Sequence, residues 1–254
     1  MAITIKSERE IELMAEAGKI LERVHNELEK ALRPGMSTKD IDTLGEEIIR
    51  SYGCIPSFLN YNGYPASICV SVNQEVVHGI PDKHRIIQEG DIVSLDAGVI
   101  YKGYHSDAAR TYAVGEASEE AKKLIQVTKE CFFEGIKFAK AGNHLFDISG
   151  AIGRYAEERG YGVVRDLCGH GIGTALHEAP EIPNYEVGRK GVRLRPGMTL
   201  AIEPMINIGT YEVDWLDDDW TVVTRDGSLS AHYENTILIT EGEPRILSLT
   251  CENE

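Results

Sequence analysis

The chain repeats a helix–glycine–helix–glycine layout, and this repeat constrains its fold more than any other sequence feature. Four residues recur at a constant offset of 107 positions, as Gly35, Asp40, Ile41 and Gly53 and again as Gly142, Asp147, Ile148 and Gly160. Repetition at a fixed spacing indicates a duplicated structural unit. We predict two units, about 7–115 and 118–240, related by a pseudo-twofold axis. Because no low-complexity linker separates them, we predict one domain over residues 1–254.

Within this repeat, capping residues and apolar spacing predict two pairs of helices. The predicted helices run from Ser7 to about Arg33, from Ser37 or Thr38 to Tyr52–Gly53, from Ser118 to Ala141–Gly142, and through Ile148 to Arg159–Gly160. The strand candidates are Ser67–Asn73, Asp91–Leu95, Ala108–Val114, Met198–Ile202, Trp220–Thr224 and Ser230–Thr240. Strands grouped apart from paired helices are typical of an α+β fold, with the helices covering one face of a curved antiparallel sheet.

Composition excludes several functional classes. The net charge of −15 argues against a nucleic-acid surface, which relies on clustered Lys and Arg. No apolar run is long enough to span a membrane, and the first residues lack the apolar core of a signal peptide. The five cysteines include no Cys-x-x-Cys pair, so we expect neither a disulfide framework nor a thiolate zinc site. A reducing cytoplasm fits this chain best.

Two aspartates, Asp96 and Asp107, lie in strand-like segments that form a predicted hairpin. Gly98 and Gly103 bracket the predicted reversal, so the two carboxylates can face each other across the strand pair. Carboxylates held this close repel each other unless a cation or a shared proton lies between them. The alternative is one capping and one turn aspartate, both solvated.

Three later residues strengthen the cation hypothesis. Glu203 and Glu234 each adjoin an apolar strand, where burial of a carboxylate is costly without a partner, and His170 lies between two glycines. Together with the aspartates they form an oxygen-rich set with one imidazole, which suits a pair of Mn, Fe(II), Co or Zn ions. Taken singly, either glutamate could be a rim carboxylate. His78 and His177 could be core histidines or donors to a substrate.

The sequence around these residues resembles the type I methionine aminopeptidases in their short bacterial form. The resemblance rests on five contexts that follow in order along essentially the whole chain: Ser-Leu-Asp96-Ala-Gly, Tyr-His-Ser-Asp107-Ala-Ala-Arg-Thr, Gly-His170-Gly-Ile-Gly, Ile-Glu203-Pro and Tyr-Glu234-Asn-Thr. It implies the duplicated pita-bread fold of creatinases and aminopeptidases, and a single catalytic domain.

The resemblance also implies a role for each site residue. Asp107 and Glu234 would bridge two metal ions, His170 and Glu203 would complete one site, and Asp96 would chelate the other ion. His78 and His177 match the substrate-side histidines of the family. The side-chain pocket for methionine would be lined by Phe58, Tyr61, Tyr64, Cys69 and Trp220. Leu176 departs from relatives that carry an aromatic residue there, which leaves the shape of the pocket open.

The implied reaction is hydrolytic removal of an amino-terminal methionine that precedes a small residue. Glu203 is the candidate to accept the proton of the attacking water, although the sequence does not separate this role from plain metal ligation. His177 would stabilise the oxyanion and His78 would contact the scissile amide. We expect a cytoplasmic monomer that acts on peptides and nascent chains, with docking on ribosomes left open.

Three alternatives remain at this point. One is an Xaa-Pro peptidase or creatinase of the same architecture, although those relatives usually carry a large amino-terminal domain and this chain starts its first helix at Ser7. Another is a metal-free binding protein that kept the fold. The third is a type II enzyme, for whose helical insertion the segment from His177 to Glu203 is too short.

Overall fold

A computed structural model describes residues 3–249, so both ends of the predicted domain lie outside the described residues. The described chain has four α-helices, as predicted. They are α1 (Glu8–Ala31), α2 (Thr38–Ser51), α3 (Glu119–Ile136) and α4 (Leu145–Glu157). One turn of 3-10 helix spans Tyr61–Gly63.

The helix starts follow from their capping residues. The Ser7 amide donates to Glu10 Oε2 at 2.7 Å while the Ser7 side chain accepts from the Glu10 amide, and Ser37 and Asp40 repeat this reciprocal capping box at α2. At α3 the Ala121 amide donates to Ser118 Oγ at 3.1 Å. Each box satisfies amide groups that have no partner inside the helix.

The predicted end of α3 at Ala141–Gly142 was wrong, because the helix ends at Ile136. Beyond it the amides of Phe138 and Ala139 donate to carbonyls three residues back, which tightens the chain into turns. The Gly142 amide instead donates to the Leu194 carbonyl at 3.0 Å, across to another segment. This tertiary bond overrides the helical propensity of residues 137–141.

Within residues 3–249, fifteen strands complete the fold. They are β1 (Ile55–Pro56), β2 (Ile68–Val72), β3 (Glu75–Val77), β4 (Ile92–Tyr101), β5 (Tyr104–Ala113), β6 (Gly162–Val163), β7 (Gly169–Gly171), β8 (Glu178–Ile182), β9 (Thr199–Ile202), β10 (Met205–Asn207), β11 (Val213–Trp215), β12 (Val222–Thr224), β13 (Ser230–His232), β14 (Asn235–Leu238) and β15 (Arg245–Ile246). Each of the six predicted strand segments contains a strand. The predicted strand Ser230–Thr240 is, however, two strands, separated by Tyr233 and Glu234.

All pairings among these strands are antiparallel, as the α+β interpretation requires. The strands form four sheets, ordered β1-β4-β2 with β5 on β4, β13-β10-β6, β11-β12-β3, and β15-β14-β9-β7-β8. Ala109 on β5 and Glu234, between β13 and β14, exchange two backbone hydrogen bonds of 3.3 and 2.9 Å. These bonds join the first half of the chain to the second.

The hairpin of β4 and β5 carries both predicted aspartates on one face. Asp96 pairs with Ala109 and Asp107 pairs with Gly98, so the two carboxylates are displaced by two residues along the ladder rather than directly opposite. The reversal lies at Lys102–Gly103. Gly98 therefore belongs to β4, and the prediction that it borders the turn was wrong.

Two helix pairs cover the strands with buried apolar side chains. From α1 and α2, residues such as Leu21, Val24 and Ile41 pack with Val93 and Leu95 of β4. A second cluster joins α3 and α4 to β9 and β14, through Leu124, Phe132, Ile148, Ile202 and Ile237. Both cores fix the backbones on which the polar residues lie.

Glycine at position 171 is required by close packing of β7 on β8. A Cβ there would overlap the carbonyl oxygen of Ala179. We expect Gly171→Ala to lower the free energy of unfolding by about 1–3 kcal/mol, because the ladder beside His170 must move apart. Urea denaturation measures this effect. Gly242→Ala is the control, since its Cβ would meet no atom nearer than Thr240 Oγ1 at 4.0 Å; equal losses in both variants would contradict the packing argument.

Candidate metal centre

Five predicted ligands converge from different strands and from the turns next to them. Asp96 lies on β4, Asp107 on β5, His170 on β7, Glu203 directly after β9, and Glu234 between β13 and β14. The sequence therefore identified residues that the fold brings together from both halves of the chain.

The distances at this cluster are short. His170 Nε2 lies 3.9 Å from Asp107 Oδ2 and 3.6 Å from Glu203 Oε1. Ligand atoms of Asp107, His170 and Glu234 all lie within 4.8 Å of one another. One cation could therefore contact several of them at once.

Three of these carboxylates each have one oxygen atom without a hydrogen-bond partner. Asp96 Oδ1, Asp107 Oδ1 and Glu234 Oε1 are buried and have no hydrogen-bond partner. Buried polar atoms in folded proteins are normally paired, and an unpaired carboxylate oxygen is especially costly. Oxygen atoms left open in this way, together with one imidazole, fit a divalent cation.

Burial raises the pKa of each of the four acids of the cluster, and neighbouring carboxylates add to the shift at three of them. Burial raises the pKa of Asp96 to about 7. Burial, with the charges of Asp96 and Glu203, raises the pKa of Asp107 well above its usual value. The pKa values of Glu203 and Glu234 are raised by the same two causes, burial first and neighbouring carboxylates second. Without a cation, these groups resist ionisation.

His170 is arranged as a neutral ligand. Burial lowers its pKa to about 3, so the ring is uncharged at neutral pH. Its Nδ1 lies 2.8 Å from the Gly171 carbonyl oxygen, which can only accept, so Nδ1 carries the proton. The lone pair is then on Nε2, which faces Asp107 and Glu203. A backbone carbonyl that fixes the tautomer is a common support for a metal-binding histidine.

His232 belongs to the same cluster, although it was not among the site residues predicted from the sequence. Its Nε2 lies 3.7 Å from Glu203 Oε2 and 4.0 Å from Glu234 Oε2, and neither ring nitrogen has a hydrogen-bond partner. Burial lowers its pKa to about 3. The available signal was its position two residues before Glu234, because alternate residues of an extended segment point the same way.

These pKa shifts predict the pH dependence of the metal-free protein. A carboxyl whose folded pKa is raised keeps its proton in the folded state after the unfolded chain has lost it, so stability falls as pH rises towards the folded pKa. Buried histidines with a lowered pKa have the opposite effect, because they make stability rise with pH while the histidines of the unfolded chain are still losing their protons. Above about pH 6.5 the unfolded histidines are largely neutral, so this effect is small there. We therefore expect the free energy of unfolding to fall as the pH rises above about 6.5, by up to ~1.4 kcal/mol per pH unit for each retained proton.

Urea denaturation with a chelator at several pH values measures this slope. The same series with Mn(II) is the control, because a bound cation competes with these protons and should remove the decline. A metal-free profile that is flat over this range would contradict the expectation.

The remaining predicted site residues border the same pocket as the cluster. They are Phe58, Tyr61, Tyr64, Cys69, His78, Leu176, His177 and Trp220. The Tyr64 hydroxyl donates to the Gly79 carbonyl at 2.9 Å, and its ring packs edge-on against Trp220 at 5.1 Å between centroids. Leu176 is almost fully buried, with 2% exposed. The pocket thus has an aromatic, apolar end beside a polar end.

The two predicted substrate-side histidines lie between these ends. His78 has a left-handed φ of 59° and packs against Trp220 at 6.2 Å. The His177 ring stands edge-on to His170, with centroids 4.2 Å apart, and its Nδ1 lies 2.7 Å from the Tyr61 hydroxyl. Both histidines therefore lie beside the candidate metal ligands. Neither belongs to a group of side chains whose ligand atoms all lie within 4.8 Å of one another.

Cysteine contributes no metal ligand in the described part of the chain. Cys54, Cys69, Cys131 and Cys168 are free, and neither group of potential metal ligands contains a thiol. Burial raises the pKa of the Cys69 thiol well above its usual value, so the pocket holds an unreactive thiol. Cys251 lies outside the described residues. Among residues 3–249, no helix is both long and apolar enough for a membrane span.

Comparison with known proteins agrees with this geometry. The sequence model of metallopeptidase family M24 matches residues 12–241. A methionine aminopeptidase of Clostridium acetobutylicum is 58% identical over 250 residues, which cover 98% of this chain and 100% of that protein. A solved methionine aminopeptidase from Thermotoga maritima superimposes with a TM-score of 0.96 at 48% identity, covering 98% of this chain and 100% of the other.

A peptidase of different specificity shares the fold at lower similarity. The solved Xaa-Pro dipeptidase of Bacillus anthracis superimposes with a TM-score of 0.77 at 27% identity. The match covers 98% of this chain but only 63% of that dipeptidase. The pita-bread fold predicted from the sequence is thereby confirmed.

Proposed function

Because the chain belongs to metallopeptidase family M24, we propose that it is a metallo-exopeptidase that removes the amino-terminal methionine from peptides and nascent proteins. One observation carries the proposal: an apolar, aromatic pocket opens directly onto a cluster of unpaired carboxylates and a neutral histidine. Similarity to methionine aminopeptidases over the full length of the chain supports the methionine assignment. A preference for a small second residue follows from the family resemblance.

The ligands of the proposed centre are Asp96, Asp107, His170, Glu203 and Glu234. We propose that they hold two divalent cations, drawn from Co, Mn, Fe(II) and Zn, with Asp107 and Glu234 shared between them. Bound divalent cations would supply an activated water and polarise the substrate carbonyl. The nearness of Glu234 to ligand atoms of both candidate groups supports its shared role.

Glu203 is the proposed proton acceptor. Its side chain is 14% exposed, and its two oxygens lie 3.6 Å from His170 Nε2 and 3.7 Å from His232 Nε2. Bound cations would keep Glu203 ionised, and its carboxylate could then accept the proton of a water in the site. The same group can later return that proton to the leaving amine.

His177 and His78 are the proposed contacts to the reacting amide. A neutral imidazole N–H from His177 would donate to the carbonyl oxygen as negative charge develops there, while His78 contacts the scissile nitrogen. Burial lowers the pKa of both histidines, that of His78 to about 4, so both are neutral at physiological pH.

Side-chain selection is assigned to the apolar end of the pocket, formed by Phe58, Tyr61, Tyr64, Cys69 and Trp220. Apolar contact alone discriminates modestly between side chains of similar size. We therefore expect graded selectivity for methionine over other unbranched apolar residues. Cytoplasmic location and a monomeric state stay predictions, and docking on ribosomes stays an open question.

Release of free methionine from Met-Ala-Ser tests the proposed function. The assay uses metal-stripped protein with Mn(II), Co(II) or Fe(II) restored without air, and Ala-Pro-Ser as the second substrate. Metal-dependent cleavage of Met-Ala-Ser alone is expected. Cleavage of Ala-Pro-Ser instead would assign the chain to the Xaa-Pro branch, and cleavage of neither peptide would overturn the proposal.

A further inference from the structure

The Tyr61 hydroxyl lies 2.7 Å from His177 Nδ1, although the family resemblance assigns Tyr61 only to the side-chain pocket. We propose that Tyr61 is a positioning residue that holds the His177 ring with its proton on Nε2, directed at the substrate carbonyl. The inference rests on the proposed function and adds a role that wall packing does not require. The centroids of the two rings are 5.2 Å apart, at an interplanar angle of 59°.

The backbone presents Tyr61 independently of this hydrogen bond. Asn60 and Asn62, on either side, adopt left-handed φ values of 65° and 49°, which asparagine tolerates better than most residues. The Tyr61 amide donates to the Phe58 carbonyl at 2.8 Å, and the Tyr64 amide donates to the Tyr61 carbonyl at 2.9 Å. The phenol is therefore held over the site by a closed turn.

His177 is restrained from the other side. Its ring stands edge-on to His170, 4.2 Å away at 80°. The next residue, Glu178, is anchored through Oε2 to Lys6 Nζ at 2.6 Å, and that lysine side chain is only 5% exposed. Because the His170 ring packs against it and Glu178 is anchored, His177 keeps mainly the rotation of its ring and the choice of tautomer.

The hydrogen bond to Tyr61 selects one of the two tautomers of the His177 ring. A phenol is a strong donor and a neutral imidazole nitrogen is a good acceptor, so Tyr61 O–H to Nδ1 is the favoured direction. The imidazole proton is then on Nε2, the nitrogen that remains for the substrate. The other tautomer would present a lone pair to the carbonyl oxygen and would repel the charge that develops there.

Removing the hydroxyl alone should therefore affect the chemical step. We expect Tyr61→Phe to lower kcat about tenfold, the size typical for one hydrogen bond that orients a donor. KM for Met-Ala-Ser should change less than about twofold, because the phenyl ring keeps the pocket wall. A change confined to KM would overturn the inference.

A double-mutant cycle tests whether the effect passes through His177. In a His177→Ala background, Tyr61→Phe should cause no further loss of kcat. Tyr64→Phe is the matched control, because the Tyr64 hydroxyl lies on the same pocket and bonds the Gly79 carbonyl instead. Its effect should be the same in both backgrounds. A tenfold loss from Tyr61→Phe that persists without His177 would overturn the inference.

A second readout separates this inference from the proposed function. In zinc-loaded, histidine-15N-labelled protein, the ring-nitrogen chemical shifts of His177 report its tautomer without any substrate. We expect a protonated Nε2 in the wild type and a mixture of tautomers in Tyr61→Phe. Unchanged shifts would overturn the positioning role even if Met-Ala-Ser is cleaved, whereas inactivity of the wild type with the expected shifts would overturn only the proposed function.

Discussion

Asp107→Asn is expected to lower peptidase activity on the order of 10³-fold and, at the same time, to stabilise the metal-free protein. Loss of a group that merely supports a metal ligand commonly weakens metal binding or activity 10–100-fold, and a shared ligand should exceed that. Asp107 is 3% exposed and contributes ligand atoms to the cluster with His170 and Glu234. Asparagine keeps the shape of the side chain and removes its charge.

The gain in stability follows from the same burial. Burial and the charges of Asp96 and Glu203 raise the pKa of Asp107, so the metal-free fold carries the cost of a disfavoured ionisation. Asparagine cannot ionise, so the variant should lose this cost and unfold at a higher Tm than the wild type when metal is absent.

Thermal unfolding with a chelator and with excess Mn(II) measures both effects. Asp107→Asn should exceed the wild type in Tm without metal and fall below it with metal, because only the wild type gains the full stabilisation from ligand binding. Asp217→Asn, the same change at an exposed position, should match the wild type in both conditions. If Asp107→Asn is less stable than the wild type without metal, the carboxyl has a structural role instead.

Glu203→Gln is expected to lower kcat about 10²–10⁴-fold with little change in KM, since the amide cannot accept a proton from water. The carbonyl oxygen of glutamine can still coordinate a cation weakly. The variant therefore separates the two roles that the sequence left open. Restoring activity with excess metal would assign Glu203 to ligation alone.

Steady-state kinetics on Met-Ala-Ser over a range of Mn(II) concentrations provides the measurement. The apparent metal affinity should fall, and kcat should remain low at metal saturation. Glu181→Gln is the control, because Glu181 lies on the neighbouring strand β8 and is exposed. Activity near that of the wild type in Glu203→Gln would contradict a role as proton acceptor.

Local signals explain which parts of the fold could be predicted. The capping boxes at Ser7 and Ser37 depend on residues three positions apart, so the sequence alone specifies these helix starts. The end of α3 depends on the bond from Gly142 to Leu194, which joins residues far apart in the chain. A sequence pattern of period 3.6 contains no information on such a partner.

The interruption between β13 and β14 shows the same limit at the site. Residues 230–240 were predicted as one strand, but β13 pairs with β10 and β14 pairs with β9. Glu234 lies where the chain changes partners, and this change directs its carboxylate to the cluster. The residues proposed as ligands could be selected from the sequence because each stands in a distinctive local context, whereas His232 lacked a context of its own.

The two backbone bonds between Ala109 and Glu234 have a consequence for inactivation. Both residues are buried, and Ala109 belongs to the first half of the chain whereas Glu234 belongs to the second. Fraying of a loop or a helix end leaves such bonds in place, because they belong to the most cooperative part of the structure. The spacing of the ligands is thus protected by the whole fold, and catalysis should persist on heating until the molecule unfolds as a unit.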